Sequence, residues 1–413
     1  MWASISLFNF CIVAVLGVVL RSKILFDLPW INYINLLDAH SHFAFGGWVT
    51  LALVTLLVKG LLPESYRNKN IYQWILGGIL LSAVAALVTT VLNMPDYRGL
   101  PSGLFIVTSY LFGWSFIRNI RKAAVSKTIK LMGVSAILCL ILSSFGPISL
   151  FYLHATGSIQ PVLYRDSVYV YLHFQYNGFF TLAVFALFFQ RLPVKVQKDN
   201  DQKFYWFSWL LCLSIVPSLF LSFLWQDPSA AIRTVALVGS IFVFISVTWL
   251  IISLIPVIKL SKFLGAPWSA IAFLCSGTLV LKMVLQTLTI FPIIGNAVFG
   301  DRPVIIGFLH LVFLGFVSPF ILLYYVDQNI LSTKVRLLKA AIILFATFVV
   351  CNEAALMLQG LGAMFLKSSY FFAWFLWATS IGLLIGIVLV FVCVMRSSRF
   401  EDTRKTEGES LLT

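Results

Sequence analysis

Residues 35–58 read NLLDAHSHFAFGGWVTLALVTLLV, with two histidines at the mouth of the stretch and no Asp, Glu, Lys or Arg after Asp38. An apolar run of that length matches a hydrocarbon core of roughly 30 Å, so His40 and His42 are read as entering a membrane. The rest of the chain agrees. Of 413 residues 60% are hydrophobic and 11% charged, a balance outside that of soluble domains. About twelve such runs follow one another, at roughly 3–22, 36–59, 72–94, 101–118, 130–155, 167–190, 204–226, 233–257, 266–290, 303–326, 337–365 and 370–395. The expected fold class is all-α: a polytopic membrane protein of about twelve transmembrane helices in one domain over 1–395. The tail over 396–413 mixes both charge signs with Gly and Ser, and is expected to be cytoplasmic, disordered and solvated.

Ala3–Leu20 has no basic start and no small-residue cleavage site after it, so it is read as a permanent first span. Cys11, Cys139, Cys212, Cys275, Cys351 and Cys393 lie in apolar runs without CxxC spacing, which reads as packing rather than disulfides or thiolate metal binding. Pro147, Pro217 and Pro319 fall inside spans and predict kinks. No repeat of short period is evident.

A net charge of +14 would suggest nucleic acid in a soluble protein. Sorted by loop, about 21 basic residues fall on one side, Lys59, Arg118, Arg191, Lys262, Lys334 and Arg396 among them, against about seven on the other: Arg21, Lys23, Arg98, Arg165, Arg233, Arg302 and Lys367. That bias places both termini in the cytoplasm, as in a bacterial inner membrane, and leaves no need for nucleic acid as a partner. The outer charges are expected to pair locally, Asp96 with Arg98, Arg165 with Asp166, and Asp301 with Arg302.

All five histidines then fall in the outer leaflet. His42, His173 and His310 each lie six or seven residues into an even-numbered span, roughly 10 Å deep; His40 precedes His42, and His154 ends the fifth span. An imidazole in lipid must pair, ligate or face water, so three at one depth on different helices suggest a shared site. His40 and His42 are turned about 200° apart on a helix, so only one can face the bundle. His42 is favoured, because Asp38 one turn before it can orient its ring and Gly46 one turn later leaves room for a flat ligand. Gly307 and Gly315 offer the same thin surface beside His310. Two imidazoles at one depth are what axial ligation of a low-spin haem b requires, and without CxxCH no thioether attachment is expected. His173 reads as a ligand of a second site, the end of a proton path, or a structural group. With His154 it supplies two ligands at best, which argues against copper or zinc.

Lys282 and Glu353 are charges well inside the ninth and eleventh spans, at one depth and of opposite sign. They read as an ion pair or as a proton path. A proton-coupled secondary transporter using both, or a non-catalytic membrane scaffold, is the competing class to a haem protein.

The AHSHFAFGGW segment opening the second span, the histidine at the outer end of the sixth and FLHLVFLGF in the tenth resemble the heme-copper oxidase subunit I superfamily, including degenerate relatives such as the NnrS-like haem and copper membrane proteins. The resemblance implies an oxidase subunit I-like bundle of twelve helices with both ends inside. It implies axial haem ligands at His42 (or His40) and His310, and a copper ligand at His173. Two features depart from the family: Phe204–Trp225 holds no histidine pair, and the tenth span holds one histidine where oxidases carry two. What it then implies is a haem b protein for electron transfer or small-gas (O2 or NO) handling, not a terminal oxidase. Arg98, Arg165 or Arg302 would pair with the propionates, Trp30 and Trp48 would pack on the ring, and a redox partner or further membrane subunits would serve it.

Overall fold

The computed structural model describes residues 1–261, 268–300, 302–333, 335–364 and 369–410. Lys262, Asp301, Lys334 and Lys367, which enter the charge reading, lie outside them. No strand occurs among the described residues, and twelve of their helices are long and apolar enough to cross a membrane. These are α1 Trp2–Leu25, α2 Tyr33–Leu61, α3 Asn70–Val91, α4 Pro95–Ile120, α5 Lys127–Thr156, α6 Pro161–Arg191, α7 Asp201–Gln226, α8 Ala230–Ser253, α9 Trp268–Leu288, α10 Arg302–Asp327, α11 Arg336–Gly362 and α12 Tyr370–Arg396. Each matches an expected run to within two turns, and the chain is an all-α integral membrane protein. The backbone of α12 stays helical on to Ser410, through the stretch where a tail without a fold was expected.

Three helices form the centre. The most apolar windows of α6, α2 and α10 are 83, 78 and 56% buried, against 33–44% for the other nine. They meet through three rings, Phe45 of α2, Phe180 of α6 and Phe313 of α10, whose centroids are 4.5 to 5.7 Å apart. Lipid tails are as apolar as these side chains, so close packing and buried hydrogen bonds must hold the helices together. Trp48 supplies both: its ring stacks on Phe10 of α1 at 4.4 Å, and its Nε1–H donates to Ser318 Oγ of α10 at 2.9 Å.

Each central helix also widens from α to π geometry, over Phe43–Thr50, His173–Phe180 and Leu311–Val317. The wide turns begin at, or one residue after, His42, His173 and His310. The three segments share one pattern, H-x-x-[F/Y]-x-G-[F/W]-x-[S/T], as HFAFGGWVT, HFQYNGFFT and HLVFLGFVS. In each case the preceding helix closes on the pattern's glycine. Asn9 of α1 donates to Gly47 O at 2.8 Å, and Thr278 of α9 donates to Gly315 O at 2.7 Å. A methyl group on Gly178 would stand 2.5 Å from Cys139 Cβ of α5. The twelve helices thus fall into three units of four, with the histidine on the second helix of each. The period is on the order of 130 residues, about the four spans that the rise of an α-helix allots to such a length, and a search for short repeats passes over it.

The prolines act as expected. α5 is interrupted at Ser144, just before Pro147, and α7 tightens to a 3-10 turn at Phe220 after Pro217. Pro319 lacks the N–H that would reach Gly315 O, and Thr278 occupies that carbonyl instead. Of the expected loop pairs, Asp96 with Arg98 does not form, and Arg98 donates instead to Asn35 and Asn93. Asp166 accepts twice from Gln226 at 2.6 Å and also lies within range of the Arg165 charge, while Asp301 lies outside the described residues. Among the described residues the ion pairs are Arg67–Glu64, Arg233–Asp227 and Arg191–Asp327, the last joining the ends of α6 and α10 at 2.6 Å. None of the six cysteines is in a disulfide.

Candidate functional site

The first cleft lies where α2 and α10 meet α1 and α11. His40 and His42 diverge around α2, and the His40 ring lies against α1 at Val13 and Gly17. His40 and His310 lie within range of one another's charge, and both lie within range of Arg21 on α1. His42, favoured from the sequence, faces Asp38 and Arg98 instead. The reason is helical spacing: Asp38 shares the His42 face, and that face turns toward the segment carrying Arg98.

The two imidazoles of this cleft are held alike. Nδ1 of His40 meets Val13 O at 3.1 Å, and Nδ1 of His310 meets Ile306 O at 2.8 Å. A carbonyl only accepts, so each Nδ1 carries the proton and each Nε2 keeps its lone pair. Neither Nε2 makes a hydrogen bond among the described residues. This is the tautomer in which histidine binds a metal, with a second-shell acceptor fixing the ring.

Around the rim, the Arg302 guanidinium lies 5.1 Å over the Tyr33 ring. Glu353 of α11 is 6% exposed; its Oε1 accepts from Asn352 at 3.1 Å, its Oε2 has no partner, and Arg21 is within range of its charge. Gly307 keeps α10 close to α11, where a methyl would touch Leu356 at 3.4 Å. Trp48 is fully taken up by Phe10 and Ser318, and Trp30 is 78% exposed.

The second cleft lies between α6, α7, α9 and α10. His173 is buried and uses both nitrogens, Nε2 donating to Ile215 O at 2.8 Å and Nδ1 accepting from Asn177 Nδ2 at 3.0 Å. A ring so engaged has no free lone pair for a metal in this arrangement. Asn177 Oδ1 in turn accepts from the Lys282 ammonium, which also lies 5.7 Å over the Tyr176 ring. Lys282 and Glu353 therefore do not pair: one reaches α6, and the other stays with Asn352 in the first cleft. Equal depth did not bring them together, because α9 packs against the π segment of α10, while α11 packs mainly against its first turns. His154 is exposed at the end of α5. No group of three His, Cys, Asp or Glu suited to a metal occurs among the described residues.

No protein-family model matches the chain, and no curated protein does. The donor set itself is then the guide. The first cleft offers two imidazoles with open Nε2 atoms, glycine on α1 and α10, and Arg21 and Arg302 nearby, donors of the kind a bis-imidazole haem b would need. Gly17 is the α1 glycine, and a methyl there would lie 3.4 Å from His40 Cε1. Tyr33, Gly17 and Arg21 went unnoticed in the sequence as site residues. Arg21 registered only as an outer charge, and its signal was that it ends the one span that must pack against the histidine-bearing face of α2.

Proposed function

We propose that this protein is an integral membrane haem b protein of the inner bacterial membrane that carries electrons, with His40 and His310 as the axial pair. What carries the reading is the common tautomer of the two rings, each anchored through Nδ1 on a backbone carbonyl with Nε2 open. The bound group would supply one-electron redox chemistry, and with both His40 and His310 holding it no ligand position would be left for a gas, which favours electron transfer. The chain's own part is to hold both rings in one tautomer through Val13 and Ile306, and to keep Arg21 near them. Arg302, at the start of α10, is the cation suited to a propionate. A membrane or soluble redox partner would meet the histidine-bearing side.

The test is the visible spectrum of protein purified from haem-replete cells, oxidised and then reduced with dithionite. A sharp reduced alpha band that His310→Ala removes is expected. A featureless spectrum from folded, haem-exposed protein would sink the reading.

A further inference from the structure

Lys282, Gln286 and Thr289 recur at i, i+4 and i+7 along α9 and its closing turn, so they share one face. Gln286 and Thr289 line a cavity of about 70 Å³ in the second cleft, opposite His173, Tyr176 and Asn177, with Ser218 and Ser222 of α7 between them. That is room for several water-sized groups. Lys282 sits at the base of this face, 3% exposed, bonded to one cavity residue and lying over the ring of another.

Two kinds of group there lack partners. The ammonium has no carboxylate in ion-pair range among the described residues, only an amide oxygen and an aromatic face. Gln286 is 7% exposed and its side chain makes no hydrogen bond among the described residues, and neither does the Ser222 hydroxyl. A cation at membrane depth is costly unless an opposite charge or water reaches it, and an amide and a hydroxyl that line a cavity can donate to whatever enters it. A ligand that meets all three at once is a small anion able to accept several hydrogen bonds. One fixed positive charge matches one negative charge.

We propose that this cavity binds a small monoanion of the nitrite, formate or chloride class, with Lys282 as its counter-charge and Gln286 and Ser222 as its hydrogen-bond donors. The site is separate from the His40–His310 cleft and does not depend on haem. Gln286 and Ser222, which line the cavity, are the hydrogen-bonding residues in this reading, and Lys282, held by the cavity residue Asn177, supplies the charge from beside it.

The experiment is thermal unfolding of the full-length protein in detergent, in gluconate buffer, titrated separately with sodium nitrite, formate and chloride at constant ionic strength. A saturable rise in melting temperature of a few degrees is expected for at least one of them, as for any ligand that binds only the folded state. Lys282→Met should abolish the response, and Gln286→Leu, which keeps the ammonium, should weaken the midpoint by about tenfold for the loss of one charged-group hydrogen bond. A wild-type response that Lys282→Met and Gln286→Leu both leave unchanged would be a bulk salt effect and would overturn the proposal. So would the absence of any saturable response in the wild type. If Lys282→Met does not fold, Gln286→Leu with unshifted midpoints overturns it equally.

Discussion

His310 on α10 and His173 on α6 occupy the same place in the same nine-residue pattern, at the mouth of the same kind of π turn, yet their rings are held in opposite ways. His310 rests its Nδ1 on the carbonyl one turn back in its own helix, and its Nε2 is left open. His173 is bound at both nitrogens, one by Asn177 of its own helix and one by Ile215 of α7. The cause is local sequence. The α6 copy carries Gln175 and Asn177 where α2 has Ala44 and Gly46 and α10 has Val312 and Leu314. Asn177, in place of an apolar residue, puts the imidazole in the middle of a hydrogen-bond chain that ends on Lys282, while Gln175 turns away to Ser143. A shared backbone pattern thus sets where the ring sits, and the residue four positions on sets what it can do.

The largest effect that could break this contrast is spectroscopic. His40→Ala should remove the bis-imidazole haem signal as completely as His310→Ala, while His42→Ala and His173→Ala leave the reduced alpha band in place. Loss of the band in His173→Ala protein that still folds would erase the distinction between the clefts. Next comes Asn177→Leu, which strips a partner from both His173 and Lys282. It should lower stability by about 2–3 kcal/mol, read as a fall in melting temperature, and leave the haem spectrum unaltered. The corresponding Leu314→Asn on α10 sharpens the comparison from the other side. By giving His310 a neighbour able to hydrogen-bond its ring, it should shift or weaken the alpha band.

Smaller effects test the three units. Gly178→Ala forces a methyl against Cys139 and should cost about 1–3 kcal/mol through overpacking. Gly77→Ala on α3 is the matched control: nothing lies within 4 Å of the added methyl, and a helical glycine gains up to about 1 kcal/mol on becoming alanine. Equal responses at the two positions would show that the glycine contact on α6 has no special tightness.

Much of the fold was legible because hydropathy reports it directly. Spans such as Trp2–Leu25 and Asp201–Gln226 carry their boundaries in the passage from apolar to polar residues. That His42, His173 and His310 stand at matching places on three spans was also legible, since each lies six or seven residues into its span, and each opens a wide turn. Direction around the helix was not. The preference for His42 rested on Asp38 and Gly46 within its own helix, whereas the contacts that hold the His40 ring come from Val13 and Gly17 of α1, which no pattern inside α2 reveals. Lys282 and Glu353 failed to pair for the same kind of reason: one coordinate, depth, was known and the other, azimuth, was not. The long repeat, by contrast, was fully present in the sequence, as GWVTLAL beside GFFTLAV, and needed only comparison across a whole four-helix unit.

For anyone redesigning this bundle, the threefold pattern works as a set of interchangeable seats. Position 173 already has the depth, the wide turn and the glycine that positions 42 and 310 have, and only Asn177 and the Ile215 carbonyl occupy its ring. Replacing Asn177 with the leucine found in the α10 copy empties one side of that seat without moving the backbone that supports it.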